Sequence, residues 1–183
     1  EDQTKKYYKL ISKIDKYEQI TDNLELEIAI YLTKVSEGEL SRESSKKVRA
    51  MLKIIDDMES VGDAIFQLSK VIDSQKQTKL RFTEHQLNSL RQMSSLVKKA
   101  FVEMNKNLAK EFSHVSIENA TMIEKMINDK RNLLRQQHVE DLKEKKYKHK
   151  IGSYYSDLFS INEKIGDYII NVSEAINEYQ KTK

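Results

Sequence analysis

Three stretches of this chain place carboxylates where one helical face can gather them. Glu18, Asp22 and Glu25 follow one another at i, i+4 and i+7. Glu59 and Asp63 stand four apart, with Gln67 one turn on, and Glu163 and Asp167 repeat the pair, with Asn171 one turn on. Residues four apart on a helix are neighbours on its surface. Carboxylates held that close repel one another and raise each other's pKa. Oxygen-rich clusters are what hard divalent ions, iron and manganese take as ligands. The alternative for each group is a solvated acidic edge paired with Lys and Arg.

The elements that must position these acids are helices, and two of them look duplicated. Glu59-Ser-Val-Gly-Asp63 and Glu163-Lys-Ile-Gly-Asp167 open two segments in which Glu, Gly, Asp, Ile, Ser and Ile recur in register. A duplicated polar face suggests two related halves. Gly62 and Gly166 are two of only four glycines. Each costs about 1 kcal/mol relative to Ala in a helix interior. Accepting that cost twice, beside the same Asp, predicts that a neighbouring helix or an ion comes close to the backbone there.

The first two helices carry apolar stripes at helical spacing. Ile14, Tyr17, Leu24, Ile28, Tyr31 and Val35 mark the first; Val48, Met51, Ile55, Met58, Ile65, Leu68 and Ile72 mark the second. The acids follow stripe positions by one residue, so they are expected at the margin of the core. A short connection predicts an antiparallel hairpin. In it Glu18, Asp22, Glu59 and Asp63 would face one another, with Glu25 beside them.

The full reading is all-α, a single domain over 1–183. Helices are expected near 5–36, 42–75, 84–112, 117–144 and 150–179, in halves of about 5–112 and 117–180. Absence of Pro suits unbroken helices. Gly38 is a candidate left-handed stop, Ser41 and Ser116 are candidate N-caps, and Gly152 is a candidate kink. Phe82-Thr83-x-x-Gln86-Leu87 reads as a capping box with a hydrophobic staple.

Other chemistries are not supported. With no Cys there is no disulfide, thiolate metal site or Cys nucleophile. No phosphate-cradling glycine loop or Ser/His/Asp signature occurs, so no enzyme is expected. A net charge of +3 gives no sign of nucleic-acid binding. No apolar run approaches the roughly 18–20 residues of a membrane span, and the chain, starting at Glu1, reads as a fragment. Glu111-x-x-His114 has the spacing of a di-iron pair, but such bundles use two pairs and two further Glu. His85, His138 and His149 read as surface residues. Lys143, Lys145, Lys146, Lys148 and Lys150 read as a solvated helix end.

The ordered acidic set resembles the PhoU domain family. Glu18-x-x-x-Asp22-x-x-Glu25 is similar to that family's E/DxxxDxxE motif. The two Gly-Asp segments are similar to its ERIGD signature. The likeness is greatest to the cytoplasmic PhoU-like domain of bacterial sodium/phosphate cotransporters. That resemblance implies a bundle of two related antiparallel halves that regulates phosphate uptake. It implies a place at the cytoplasmic face of the inner membrane, with the membrane-embedded transporter domain in cis and a homodimer as partners. It also implies an iron or zinc cluster on the acidic motifs; the residues themselves suggest a divalent or ferric ion (iron, zinc, manganese or magnesium) on Glu18, Asp22, Glu25, Glu59 and Asp63. A weaker second set is Glu124, Glu163 and Asp167, because Asn128 replaces the acid and Arg131 follows. Ala64 and Tyr168 stand where the family often has His, and Ser60 where it has Arg. A structural adaptor or dimerisation module without an ion is the other expectation.

Overall fold

The computed structural model describes residues 2–110 and 115–181. The expected pair Glu111 and His114 lies outside them. The described residues form five helices and no strand: α1 (Asp2–Ser36), α2 (Arg42–Gln77), α3 (Glu84–Leu108), α4 (Glu118–Lys143) and α5 (His149–Lys181). The protein is an all-α helical bundle. None of these helices is long and apolar enough to cross a membrane.

The local signals decide where the helices begin. Ser41 caps α2, its hydroxyl accepting from the Ser44 N–H at 3.1 Å. Thr83 and Gln86 form a reciprocal capping box on α3, at 3.1 and 3.0 Å. Each such cap is worth about 1 kcal/mol. Ser116 does not cap α4: the N-cap is Ile117, and the Ser116 hydroxyl accepts only a long bond from Glu118 N. Gly38 is not left-handed, because no glycine has positive φ; Lys145, at φ 56, holds that conformation after α4. Gly152 lies inside α5 and makes no stop or start there.

The core sits between α2 and α5, which pack along their length, with α1 on the far side of α2 and α3 and α4 on α5. Ile54, Val61 and Ala64 of α2 meet Met93, Val97 and Met104 of α3 and Ile165, Ile169, Val172 and Ile176 of α5 in one cluster. Burying a side chain of that size stabilises by about 1.5–3 kcal/mol. A second cluster joins Leu134, Tyr155 and Phe159, with Phe82 and Leu90 packed on it. Along its length α3 lies against α4 and α5, and α1 touches α2 alone.

The stripe expected to bury α1 is not the one that is covered. Tyr17, Leu24, Tyr31 and Val35 are exposed. The packed seam runs Tyr7, Ile11, Ile14, Glu18, Thr21, Glu25, Ile28 and Leu32, alternating steps of four and three. That is the spacing of a coiled-coil seam. Its opposite row on α2 includes Glu59, Gly62, Phe66 and Ser69. Met58 and Ile72, also expected in the core, are exposed.

Candidate functional site

The α1–α2 hairpin is antiparallel. Tyr7 Oη donates to Asp73 Oδ1 at 3.1 Å at one end, and Thr21 lies against Gly62 at the middle. A Cβ at position 62 would stand 2.6 Å from Thr21 Oγ1. That hydroxyl is held by bonds to the Glu18 and Tyr17 carbonyls, at 2.8 and 3.2 Å. Gly62 is therefore the close approach that its position suggested. It brings the acids of both helices into one seam.

Glu18, Glu25, Glu59 and Asp63 are half-buried there, and Asp22 is exposed at the rim. Burial raises the Glu18 pKa above the ordinary carboxylate value, and Asp22, Asp63 and Asp15 add to the rise; Lys70 opposes it. Burial likewise raises Glu59, helped by Asp63, Asp22 and Glu25, while a 3.4 Å bond from the Ser60 hydroxyl lowers it. Among the described residues none of the five makes an ion pair within 4 Å. Among the described residues, as the side chains stand, no three acidic or His groups close on a point that could hold a metal ion. The seam thus collects the predicted residues as an electrostatic cluster without arranging them as a coordination sphere.

The α4–α5 hairpin repeats this construction with different charges. A Cβ on Gly166 would stand 2.9 Å from Ile127 Cδ1, as one on Gly62 meets Thr21. Superposing these contacts matches Glu18 with Glu124, Asp22 with Asn128, Glu25 with Arg131, Glu59 with Glu163 and Asp63 with Asp167. Arg131 donates to Glu163 Oε1 from Nε at 3.1 Å and from Nη2 at 2.5 Å. The Asn128 amide donates to Glu124 Oε1. The remaining acid, Asp167, is pushed up to about 6, first by burial, then by Glu163 and Glu124, with Arg131 pulling the other way. In this half a guanidinium already supplies the positive charge.

Asn171 leaves the acidic group that its spacing suggested. Its Nδ2 donates to Asp57 Oδ1 at 2.9 Å, across the α2–α5 contact. Asp57 is buried, its second carboxylate oxygen has no partner, and burial raises its pKa against the pull of Asn171 and Lys53. Nothing in the local sequence marks Asp57, which sits on the side of α2 away from the repeated acids.

His138 is not a surface residue. Its Nδ1 lies 2.8 Å from the Tyr147 hydroxyl, and its ring stacks on Tyr147 and meets the edges of Tyr155 and Phe159. Burial lowers its pKa. Gly152 makes room for this packing, since a Cβ there would stand 3.0 Å from His138 Cε1. His85, His149 and the five lysines of the 143–150 segment are exposed, as expected.

No family model, curated protein or solved structure matches this chain.

Proposed function

We propose that this chain is a PhoU-like regulatory module without catalytic activity, whose first hairpin takes a hard cation on Glu18, Asp22, Glu25, Glu59 and Asp63. The observation that carries the cation reading is the difference between the hairpins. At one position of the shared construction the second half holds Arg131 on Glu163, and the first half holds Glu25 near Glu59. A seam of five acids without an ionic partner is electrostatically costly. A bound cation would relieve it as Arg131 does in the other half. The donor set, all oxygen, fits magnesium, manganese or iron, and also zinc, which accepts carboxylates. Such an ion supplies positive charge and cross-links α1 to α2; the chain's own residues supply the seam.

The transporter context rests on the ordered acidic motifs. In this reading the module sits at the cytoplasmic face of the inner membrane, attached to a sodium-dependent phosphate transporter, and reports ion or phosphate status to it. The adaptor reading is favoured by a separate observation, the exposed apolar side chains of α1.

The test is metal content and melting. Protein purified without a histidine tag is expected to hold one of these metals, or to melt higher when iron, zinc, manganese or magnesium is added. A ligand that binds only the folded state stabilises by mass action, about 2.7 kcal/mol at a hundred times its Kd. Asp22→Asn with Asp63→Asn is expected to abolish that rise. Metal-free protein indifferent to all four ions would leave only the adaptor reading.

A further inference from the structure

The α2–α5 contact has two ends, and the internal repeat makes them equivalent. The helices run antiparallel: Asp57 meets Asn171, Lys53 stands by Glu178, and Tyr179 reaches Glu43. At the end where α2 begins, Lys46, Arg49 and Lys53 line a pocket of about 230 Å³. Ala50, Ala175 and Tyr179, all buried, form its inner wall, and Glu178 is the one carboxylate in its lining. Aligning Glu59 with Glu163 puts Lys150, Ser153 and Asp157 of α5 where Lys46, Arg49 and Lys53 stand on α2, and Ser74 where Glu178 stands. That equivalent end carries one lysine and one aspartate; this end carries three cations against one carboxylate. Like charges three and four apart on a helix repel, so one of two equivalent places accepts a cost that the other avoids.

The carboxylates nearby leave positive charge over. Glu43 accepts from the Tyr179 hydroxyl at 3.1 Å. Glu178 stands 3.8 Å from Lys53, beyond hydrogen-bond length, and both side chains are exposed. Arg49 is exposed and has no hydrogen bond or ion pair among the described residues. Even with Glu43 counted, the cations outnumber the acids.

Charge and size together select the ligand. A guanidinium presents a planar fork that pairs with two oxygens of a carboxylate or phosphate, and a lysine binds phosphate as a point charge. A monocarboxylate brings one negative charge to three cations, whereas a phosphate monoester brings about −1.5 to −2 at neutral pH. The pocket lies below the roughly 300 Å³ at which sites for drug-sized ligands begin. It therefore suits a small anion or an end group. We propose that this pocket binds a phosphate-type dianion, free or as the end group of a phosphomonoester, with Arg49 on two of its oxygens and Lys46 and Lys53 on either side. The site goes beyond the cation reading of the acidic seam and shares no residue with it.

Calorimetric titration of the purified chain with inorganic phosphate tests the site. Metal is removed beforehand by chelation and dialysis, and ionic strength is held constant with sodium chloride so that screening does not change. Saturable binding of one phosphate per chain is expected. Tighter binding of phosphate than of glycerol phosphate would assign the site to the free anion, and the reverse order to an end group; either supports it. Arg49→Gln should weaken binding about tenfold, as loss of a charge-assisted pair does. Arg49→Lys, which keeps the charge and loses the fork, should weaken it less. Glu178→Gln removes a competing carboxylate and should tighten binding about threefold, a gain that misfolding cannot produce. Lys150→Gln, at the equivalent end, should change nothing. Absence of saturable binding overturns the proposal. So does an Arg49→Gln variant that binds as the parent does, or a Lys150→Gln variant weakened as much, which would make binding a matter of net charge. Arg49→Gln should keep the parent's melting response to metal, so failure of this pocket and failure of the acidic seam are read separately.

Discussion

The two hairpins of this bundle are built on one plan and neutralised in two ways. Each crosses at a glycine, with Thr21 against Gly62 in one and Ile127 against Gly166 in the other. Each sets a Glu and an Asp beside the crossing. The second hairpin then pairs Glu163 with Arg131, fills its crossing with the fully buried Ile127 and receives α3 on its flank. The first has Glu25 for the arginine and Thr21 for the isoleucine, and among the described helices none but α2 lies against α1. Glycine sets the distance between helices in both; the side chains around it decide whether a hairpin is self-sufficient or left to be completed.

Removing the arginine is the hardest blow to this comparison. Arg131→Met leaves Glu163 beside Glu124 and Asp167 without a cation. Breaking a buried pair from one side costs about 3–5 kcal/mol. Arg131 and Glu163 keep 27% and 14% of their side-chain surface, so a loss of about 2–3 kcal/mol is expected in urea unfolding. A variant as stable as the parent would mean that the guanidinium neutralises nothing.

The crossings come next. Leu is the better helix former by about 1 kcal/mol, while overpacking typically costs about 1–3 kcal/mol. Gly166→Leu must displace Ile127 from the core, and a net loss of about 2 kcal/mol is expected. Gly62→Leu meets a threonine hydroxyl at a half-exposed margin, so its loss should be smaller, about 1 kcal/mol. Equal losses, or a raised denaturation midpoint at either site, would remove the close approach from the argument.

A further effect is expected in the pH dependence. Asp167 titrates near 6 in the folded protein, against 3.8 for the free group. Between those values the folded state binds more protons than the unfolded one, so stability falls as pH rises from about 4 to above 6. Asp167→Asn should flatten that fall. At pH 7 it should raise stability by about 1–2 kcal/mol, less than the full linkage value because water reaches the carboxylate. A variant whose stability still falls over that window would place the titration elsewhere, with Asp57 the next group to replace.

Much of this architecture is legible in the residues, for physical reasons that also explain the failures. Helices, the Ser41 cap and the Thr83–Gln86 box are local, and local signals survive folding. Two glycines beside two aspartates announce a close approach, since nothing else justifies them in a helix interior. The covered face of α1 was not legible. Its two rows share Ile14 and Ile28, and periodicity favours the row with more hydrophobic residues. Folding covers the other, which carries Glu18 and Glu25. The second half was only partly legible: Asn128 and Arg131 stand out as departures from the acidic pattern, but the reach of Arg131 to Glu163 is a tertiary fact. So is the place of His138, whose only local hints are Tyr147 and a glycine at 152.

The central claim is that charge at one position decides whether a hairpin needs an ion. Moving the arginine tests it most directly. Glu25→Arg puts in the first hairpin what Arg131 supplies in the second. The measurement is the melting temperature of the parent and of Glu25→Arg, each metal-free and then with iron, zinc, manganese or magnesium. The account predicts that an ion raises the parent's melting temperature, that metal-free Glu25→Arg melts above metal-free parent, and that added metal no longer shifts the variant. A parent that ignores all four ions, or a variant that responds as the parent does, would contradict it.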